Sequence, residues 1–487
     1  MVSAGQKGIQ SMNMITYIIN NLKKNIEENI KNYKLDNLIT ANALFTFDNY
    51  IKTIECIDDI SYNFSTFLYK VFIEEVDNAF FNSNYRKKYC NVINISERNI
   101  ITLFGEVTFK RRYYHDNIKN RNYYYVDNVL NIKPYSRFDP FVCAKICEVS
   151  SHDSYAKAGR TVSELIGKRL KFSDDTNRYL INRAQARNIV MNFSIPELGY
   201  VERPTNKRLY IMLDEKWVHS QNNNGNDFMV KAVVVFENIE KVYKKSKSKK
   251  SKIRYKLTGK RILASIDNDL QNQVDDYIYN TYIVENIDEI VFMGDCASWI
   301  KAFPNGFKYH KDMKITFSMD GFHLAQAITN IATTANPEIQ AALKQSCFDN
   351  NIEDFIYLCD SLIELNPSRT DTINNKKEYI INNWEYIQIY FHKNPMKCSM
   401  EAHISHCFAD IFTSRPRAYS EKGLRHLLKL RLLKLNDVDI QATYFNVIKG
   451  VYDNIYEIDS KIFSFNYENS NNNYEIPQWL SRTLYYT

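Results

Sequence analysis

Two segments of this chain share one pattern, in which an apolar run is followed by an aspartate and then by a tryptophan. The first is "YIMLDEKWV" at 210–218, and the second is "IVFMGDCASW" at 290–299. A short, bounded apolar run is typical of a buried strand. Each segment therefore predicts a buried strand that ends on a carboxylate, Asp214 in one and Asp295 in the other. One such aspartate is usually a turn residue, but the repetition favours two carboxylates with a shared task.

The composition of the chain restricts its class only broadly. It has 487 residues, of which 45% are hydrophobic and 24% charged, and its formal net charge is +7. This length allows roughly two to four domains, and the mild positive charge permits a nucleic-acid partner without requiring one. The nine cysteines include no CxxC pair, so neither a zinc ribbon nor a disulfide framework is indicated.

The sequence shows no sign of export or of a membrane span. The N-terminus carries no apolar core of signal-peptide type, and no segment approaches the roughly 18 uncharged apolar residues that a spanning helix needs. Asn, Lys, Ile and Tyr, which AT-rich codons encode, are used heavily. We therefore expect a bacterial cytoplasmic protein that has no membrane partner.

The N-terminal part of the chain predicts two regions. Residues 1–98 show helical spacing, as in "FSTFLYKVFIEEVDNAFF", and predict a helical region for dimerisation or DNA binding. Residues 99–205 predict a β-hairpin over 99–126 and then two helices, the second with Ser173 and Asp174 as candidate caps, which is compatible with a helix-turn-helix. Lys110, Arg111 and Arg112 stand among tyrosines on the hairpin. They suit phosphate contacts and base stacking, although an ordinary hairpin with a solvated edge has the same pattern.

Residues 206–325 predict the sheet that carries the two aspartates. Three strand-like runs come first, "KRLYIMLDEKWV", "DFMVKAVVVFENIEKVY" and "KIRYKLTGKRILAS". A helix, the strand "EIVFMGDCAS", a short amphipathic piece and the strand "KITFSMDGFHL" follow. This order predicts an α/β fold with a ribonuclease H-like mixed sheet, which places carboxylates at the ends of adjacent central strands. All-α regions continue as a helical insertion over 326–395 and final core helices over 396–440, before a C-terminal tail over 441–487.

Carboxylates brought together at strand ends imply a metal site, because they repel one another unless a cation lies between them. Oxygen ligands favour Mg²⁺ or Mn²⁺, and two such ions about 3.5–4 Å apart support in-line displacement at a phosphodiester. Glu401, near the start of a late helix, is a candidate third acid. Glu364, Glu378 and Glu385 also lie on predicted helices after the second aspartate, so spacing alone leaves the third acid open.

Five segments carry a resemblance to a known family. They are "GEVTFKRRYY" at 105–114, "LDEKWV" at 213–218, "MGDCASWIKAF" at 293–303, "SMDGFHLAQAI" at 318–328 and "EAHISHCFADIFTSRPRAYSEKGL" at 401–424. The chain resembles, over most of its length, the ISLre-type insertion-sequence transposases, which are related to the Mutator-like DDE transposases. The resemblance implies that two Mg²⁺ or Mn²⁺ ions are held by a DDE triad of Asp214, Asp295 and Glu401. It also implies an auxiliary pair beside the site, Asp320 and His323, and phosphate contacts from Arg415 and Arg417.

The function that this resemblance implies is that of a DDE transposase from a bacterial insertion sequence. Such an enzyme binds terminal inverted repeats in double-stranded DNA, cleaves with divalent metal and joins the ends to target DNA, as a homodimer or a larger assembly. Two alternatives stay open. One is a transposase-derived DNA-binding protein that no longer cuts, and the other is a ribonuclease H-like nuclease or resolvase.

The remaining expectations concern residues around the site. The lysine-rich run 244–252 is either a non-specific DNA contact or a solvated loop, and its candidate contacts are Lys244, Lys245, Lys249 and Lys250. Trp217 and Trp299 are expected to pack near the site. Glu215 is expected to point away from the face that carries Asp214, because successive side chains on a strand alternate between faces.

Overall fold

The computed structural model describes the chain in several stretches, which form two compact units. The described residues are 11–12, 20, 23–24, 47–166, 181–204, 207–221, 227–243, 253–393, 405–409, 412–413, 418–455 and 465–466. The first unit comprises the described residues of Met1–Lys145, Gly159–Asn182 and Phe445–Thr487, and the second comprises those of Ile146–Ala158 and Arg183–Tyr444. The units therefore interleave along the chain, whereas the sequence predicts domains that follow one another.

The first unit packs a long helix against a three-stranded antiparallel sheet, whose strands lie side by side in chain order. Phe80 on the long helix stacks on Tyr125 with 3.9 Å between ring centroids, and meets Tyr114 edge-on at 4.9 Å. These rings belong to the apolar core of the unit. A short antiparallel pair, Ser11–Met12 with Phe465–Asn466, also belongs to it. The main elements are α1 (Phe47–Asn82), α2 (Asn84–Tyr89), β1 (Cys90–Thr102), β2 (Gly105–Asp116), β3 (Arg121–Tyr124) and α3 (Tyr125–Val129).

The structure corrects two predictions in this unit. Strand β1 begins at Cys90, inside the segment 1–98 that the sequence predicts as helical. Its β-branched residues Val92, Ile93 and Ile95 favour extended backbone, and pairing with β2 supplies the hydrogen bonds. The predicted hairpin over 99–126 is part of a three-stranded meander that turns at 103–104, because Gly105 adopts a φ of +130°, which residues with a side chain rarely adopt.

Three further helices follow along the chain, and the first predicted helix of the helix-turn-helix is among them. The three are α4 (Pro140–Ser150), α5 (Tyr155–Leu165) and α6 (Arg183–Met191), and α5 lies where that first helix is predicted. The second predicted helix begins at the candidate caps Ser173 and Asp174. Its residues up to 180 lie outside the described part of the chain. The helix-turn-helix therefore stays a prediction.

The second unit is built on a five-stranded mixed sheet. Its elements up to the last strand are β4 (Arg208–Val218), β5 (Phe228–Phe236), β6 (Asn238–Tyr243), β7 (Ile253–Thr258), β8 (Arg261–Ser265), α7 (Leu270–Thr281), β9 (Glu289–Gly294), α8 (Ser298–Ala302) and β10 (Lys314–Met319), with 3₁₀ turns at Val284–Asn286 and Phe303–Gly306. Strand β4 pairs antiparallel with β5, and β5 with β8, whereas β9 and β10 run parallel to β4. The first strand of the unit therefore lies at the centre of the sheet.

Helix α7 and the segment that starts with α8 contribute to the apolar core on one face of this sheet. Leu209, Ile211 and Leu213 of β4 belong to this core, together with Ile290 and Phe292 of β9. Side chains alternate between the two faces along a strand. The residues between these apolar positions therefore point to the opposite face, and that face carries the aspartates.

Two of the predicted strands are each divided in the structure. The predicted runs break at 237 and 259, and β6 and β7 form a separate two-stranded antiparallel ribbon. The nitrogen of Glu237 donates to the oxygen of Thr258 at 2.9 Å, and Gly259 adopts a φ of +60°. A Cβ on Gly259 would lie 2.3 Å from Cδ of Glu237. Glycine is therefore required where the ribbon leaves the sheet.

Between β10 and residue 393 the chain is mainly helical, in agreement with the helical character predicted for 326–395. The five helices of this stretch pack around a core that includes Leu343, Phe355 and Ile380. Among the residues that the structure describes, every helix is too short or too polar to span a bilayer. The elements are α9 (Gly321–Ala332), α10 (Pro337–Phe348), α11 (Ile352–Leu365), a 3₁₀ turn (Pro367–Arg369), α12 (Thr370–Asn382), α13 (Trp384–His392), a π-helical turn (Ser405–Ala409), α14 (Glu421–Leu435) and α15 (Ile440–Ile455).

Gly294, the last residue of β9, has no room for a side chain. A Cβ there would lie 2.6 Å from Cγ2 of Ile300 and 3.1 Å from the main-chain oxygen of Leu213. We expect Gly294→Ala to lower the free energy of unfolding by about 1–3 kcal/mol, because the buried strand and helix must shift to admit the methyl group. Urea unfolding followed by circular dichroism measures this change. Gly199→Ala is the matched control, since nothing lies within 4 Å of a Cβ there. Equal losses in the two variants would contradict the tight packing at Gly294.

Candidate functional site

Asp214 and Asp295 stand side by side at one end of the sheet. The parallel register pairs Met293 of β9 with Met212 of β4, so the two aspartates, each two positions further on, are opposite one another. Residues in register on parallel strands point to the same face, and neighbouring strands lie about 4.8 Å apart. The structure thus brings together the two aspartates that the sequence pattern singles out.

Asp320 extends this row to a third strand. Gly294 of β9 pairs with Met319 of β10, so Asp320 is in register with Asp295, and its nitrogen donates to the oxygen of Gly294 at 2.8 Å. We call Asp214, Asp295 and Asp320 the carboxylate row. The sequence contains a signal for its third member, because "KITFSMD" is another strand-like segment, with apolar residues at alternate positions, that ends on an aspartate.

The sequence predicts that strand β4 ends at Asp214. In the structure the strand continues to Val218. The reason is the antiparallel partner β5, which pairs with Asp214 through Ala232 and with every later residue of the strand. Asp214 is only 5% exposed, and its Oδ1 accepts a hydrogen bond from the nitrogen of Glu215 at 2.7 Å. The strand is therefore paired with β5 both before and after Asp214.

Asp295 stands in the turn that ends β9. Its Oδ1 accepts a hydrogen bond from the nitrogen of Ala297 at 2.9 Å, so the side chain closes the turn. Cys296, between these two residues, adopts a φ of +67°, a left-handed conformation that costs a residue with a Cβ about 1 kcal/mol or more. Burial and then the charge of Asp295 raise the pKa of the Cys296 thiol to about 12. The thiol is therefore neutral near pH 7.

Asp320 caps helix α9 and holds His323. Its carboxylate accepts a hydrogen bond from the nitrogen of Phe322 at 3.3 Å, and its Oδ2 bonds Nδ1 of His323 at 3.0 Å. Burial of the ring acts to lower the pKa of His323. The hydrogen bond to Asp320 and the charges of Asp320, Asp214 and Asp295 outweigh it, so this pKa lies above its ordinary value. His323 therefore interacts electrostatically with the whole carboxylate row.

The donor atoms of the row suit a hard divalent cation. Carboxylate oxygens are the ligands that Mg²⁺ and Mn²⁺ prefer, so the chemistry of the row fits the predicted ions. Each carboxylate also contacts a group of its own chain segment. Within the described ranges, no three Asp, Glu, His or Cys side chains are arranged to hold one metal ion. The third predicted ligand, Glu401, lies outside those ranges.

The opposite face of β4 carries a second polar contact. Glu215 accepts a hydrogen bond from the indole Nε1 of Trp299, which lies on α8. Lys231 of β5 is the register partner of Glu215, and its Nζ lies 5.6 Å from the centre of the Trp299 ring. Glu215 therefore points away from the face that carries Asp214, as predicted, and the contact joins β4 to α8. Trp299 packs against the apolar core on that side of the sheet. Trp217, which is expected to pack, is instead 55% exposed.

Seven predicted site residues fall outside the described part of the chain. The residues that follow Arg417 contact the end of the central strand: the nitrogen of Tyr419 donates to the oxygen of His219, one residue past β4, at 2.9 Å. Arg431 of α14 donates to the oxygen of Cys407 at 2.8 Å. These contacts tie the segments that follow Glu401 to the second unit. The seven residues are Glu401, Arg415, Arg417, Lys244, Lys245, Lys249 and Lys250.

Two of the three basic residues predicted for DNA contact on the hairpin are paired inside the first unit. Arg112 donates to Asp77 at 2.6 Å. Arg111 pairs with Asp127, and burial, then the charge of Arg98, lowers the pKa of its guanidinium to about 10. Buried carboxylates neutralise Arg111 and Arg112, and these ion pairs stabilise the fold of this unit. Their role as DNA contacts stays a prediction. The side chain of Lys110 is exposed.

The ion pairs of Asp127 give a stability prediction. Asp127 pairs with Arg111 and also with Arg98, at 2.5 Å, in a largely buried cluster. We expect Asp127→Asn to lower the free energy of unfolding by about 3–5 kcal/mol, because it leaves two buried guanidinium groups without their counter-charge. Urea unfolding measures the loss. Asp360→Asn is the control, since Asp360 is half-exposed and pairs with Lys377, and it should cost about 1 kcal/mol or less. A similar small loss for Asp127→Asn would show that the cluster is not structural.

His323 and His426 give a pH prediction with opposite signs. We expect the pKa of His323 to lie above the ordinary value of about 6.5, and that of His426, which burial lowers, to lie below it. Titration of the ring protons by NMR, assigned with His323→Gln and His426→Gln, measures both. Because the folded pKa of His323 is raised, its stabilising contribution is complete below about pH 6.5 and is lost as the pH rises through the folded pKa. Asp320→Asn should bring the pKa of His323 down, and an unchanged value would contradict the contact.

Comparison with known proteins gives the family of the chain. The model of the uncharacterised protein family UPF0236 matches residues 50–446. UPF0236 protein TTE0402 of Caldanaerobacter subterraneus subsp. tengcongensis is 26% identical over 399 residues, which cover 80% of this chain and 74% of that protein. The UPF0236 protein in vanSb 3'region of Streptococcus gallolyticus is 21% identical over 310 residues, which cover 63% of this chain and 65% of that protein.

One relative has many counterparts in a single bacterium. A UPF0236 protein of the same Caldanaerobacter is 26% identical over 401 residues, which cover 80% of this chain and 78% of that protein, and its name carries eleven locus designations, from TTE0033 to TTE2212. A second such protein carries four. Because the family model matches most of its length, this chain belongs to the uncharacterised protein family UPF0236.

Proposed function

We propose that this protein is a DDE transposase of a bacterial insertion sequence, which binds terminal inverted repeats and catalyses metal-dependent strand cleavage and strand transfer. The observation that carries the proposal is the carboxylate row, in which Asp214 and Asp295 stand in register on adjacent strands. Two carboxylates that converge in this way suit the two-metal chemistry of phosphodiester displacement. The proposed assembly on double-stranded DNA is a homodimer or larger, because two ends must be joined together.

The topology of the sheet supports a ribonuclease H-like core. The first three strands of the sheet, β4, β5 and β8, are antiparallel neighbours, and β9 and β10 add in parallel on the other side of β4. This is the order that the sequence leads us to expect for such a core. The helices α9–α13 then separate Asp295 from Glu401, as a helical insertion would.

The number of relatives in one genome supports a mobile element. A protein that moves its own gene leaves several near-identical copies behind, and the name of one Caldanaerobacter relative carries eleven locus designations. An enzyme of metabolism or repair rarely needs so many. This observation favours transposition over the resolvase alternative.

The proposed metal ligands are Asp214, Asp295 and Glu401. When bound, Mg²⁺ or Mn²⁺ ions would activate the attacking water or 3′-hydroxyl and stabilise the leaving oxygen. The contacts from the nitrogens of Glu215 and Ala297 hold two of these carboxylates in place, Asp214 within β4 and Asp295 in the turn after β9. These residues thus supply the rigid frame that two-metal catalysis needs.

Asp320 and His323 are proposed as the auxiliary pair beside the metal ligands. Nδ1 of His323 bonds Asp320 at 3.0 Å, so Nε2 is the nitrogen that can donate to a phosphate oxygen. The raised pKa of His323 favours the imidazolium form, whose hydrogen bonds to phosphate are charge-assisted. The pair therefore suits DNA positioning.

The proposed DNA contacts lie at exposed or undescribed basic positions. Lys110 is exposed on β2. Lys244, Lys245, Lys249 and Lys250 lie in the sequence between the paired strand ends Tyr243 and Ile253. Arg415 and Arg417 stay in the proposal on the strength of the resemblance. Contacts of this kind neutralise phosphates without reading the sequence.

The test is cleavage of labelled DNA that carries the sequences flanking the gene, with Mg²⁺ or Mn²⁺. We expect Asp214→Asn and Asp295→Asn each to lower the cleavage rate by more than about 10²-fold, since loss of even an outer-shell partner of a metal costs 10–100-fold. DNA affinity should stay within about twofold. Asp288→Asn is the matched control: Asp288 is exposed, precedes β9 at the opposite end of the sheet, and should leave the rate unchanged.

The outcomes separate the proposed function from its alternatives. Full metal-dependent cleavage by both Asp214→Asn and Asp295→Asn would contradict the transposase mechanism. Binding of the ends by the wild type without any cleavage would indicate a DNA-binding descendant. Cleavage of branched junctions in preference to the flanking ends would indicate a resolvase.

A further inference from the structure

A tyrosine of the helical segment α9–α13 donates a hydrogen bond to the turn that carries Asp295. Tyr379, on α12, donates from its Oη to the main-chain oxygen of Asp295 at 2.6 Å. The carboxylate of Asp295 accepts a second hydrogen bond from the nitrogen of Ala297. Asp295 is therefore held twice, once within its own turn and once by a helix from a distant part of the sequence.

The turn needs support from outside because its backbone is strained. Cys296 adopts a φ of +67°, and such conformations persist only where the surroundings fix them. The Cys296 side chain is buried in the core of the helical segment, together with Met319 and Leu324. Both the hydroxyl of Tyr379 and the packing of Cys296 thus fix this turn from the same side.

The hydroxyl of Tyr379 acts as a neutral donor. Burial raises the pKa of Tyr379 above its ordinary value. It keeps its proton across the pH range in which proteins work, so it can hold a carbonyl oxygen but is a poor proton shuttle. Its role is therefore one of geometry.

We propose that Tyr379 is a positioning residue for strand cleavage, whose hydroxyl fixes the main chain of Asp295 so that its carboxylate stays in the row with Asp214. The proposal rests on the function proposed above and deepens it. The helical segment then completes the site as well as separating Asp295 from Glu401. A second tyrosine of the segment, Tyr390, packs beside Asp320. A Cβ on Gly321, the residue after Asp320, would lie 2.3 Å from Oη of Tyr390.

The test compares Tyr379→Phe with Tyr386→Phe. Each change removes one hydroxyl from the helical segment. The ring of Tyr386 packs against Phe317 at 4.9 Å, and within the described chain no hydrogen bond of its hydroxyl is found, so it is the matched control. Hydrogen–deuterium exchange of peptides covering 291–303 is measured first, in the full-length protein without DNA or metal.

We expect Tyr379→Phe to speed exchange in the turn at 295–297, and Tyr386→Phe to leave it unchanged. With flanking DNA at saturation, Tyr379→Phe should lower the rate of cleavage by about 10–100-fold, the usual loss when a partner that orients a metal ligand is removed. The KM for DNA should stay within about twofold. The Mn²⁺ concentration for half-maximal activity should rise, and calorimetry with MnCl₂ alone should show weaker binding.

The possible failures are distinguishable. Unchanged exchange at 295–297 in Tyr379→Phe would overturn the positioning role, whatever the cleavage assay gives. A cleavage rate and Mn²⁺ dependence equal to the wild type would overturn it as well. A wild-type protein that exchanges as expected but cleaves no flanking DNA would contradict the proposed function, and with it the catalytic part of this inference.

Discussion

The parallel register of β4, β9 and β10 is the constraint on which the rest of the second unit depends. It places Asp214, Asp295 and Asp320 in one row at the same edge of the sheet. The apolar core prevents this register from slipping. A shift of β4 by one residue would turn its apolar side chains, among them Leu209 and Leu213, out of the core.

Local contacts hold each carboxylate where the register puts it. Asp214 accepts a hydrogen bond from the next residue of its strand, Asp295 from the nitrogen of Ala297, and Asp320 bonds His323. The residue after Asp295 adds a strained, left-handed backbone to the turn. Strain and crowded charge of this kind lower stability, and they are common where a site has to be held ready for a ligand. The apolar core on the opposite face of the sheet offsets these costs.

Buried charge has a different role in the first unit. Three basic residues of its sheet each pair with an internal carboxylate, Asp127 or Asp77; they are Arg98, Arg111 and Arg112. A guanidinium neutralised in this way offers little to a phosphate, so composition alone overstates how many cations this unit presents. The exposed Lys110 is different, because its side chain is solvated. Position in the fold therefore separates cations that stabilise the protein from cations that can contact DNA.

Much of the second unit could be predicted from its sequence, because its strands are short apolar runs bounded by polar residues. That pattern is local, so it indicated Asp214 and Asp295, and the apolar run before Asp320 follows it as well. The end of β4 was predicted wrongly, because the pairing with β5 keeps the strand extended to Val218. The break at Gly259 was missed for a similar reason, since only the folded ribbon shows why glycine is needed there.

The sequence by itself determined which residue types stand at the strand ends, since apolar periodicity and an abrupt aspartate are properties of neighbouring residues. Only the tertiary structure decided that three of these aspartates share one row, because register depends on the pairing of distant strands. It also decided the partners of Arg111, Glu215 and Asp295, which are Asp127, Trp299 and Tyr379. No local pattern encodes such contacts, because they form only when elements far apart in the chain pack together.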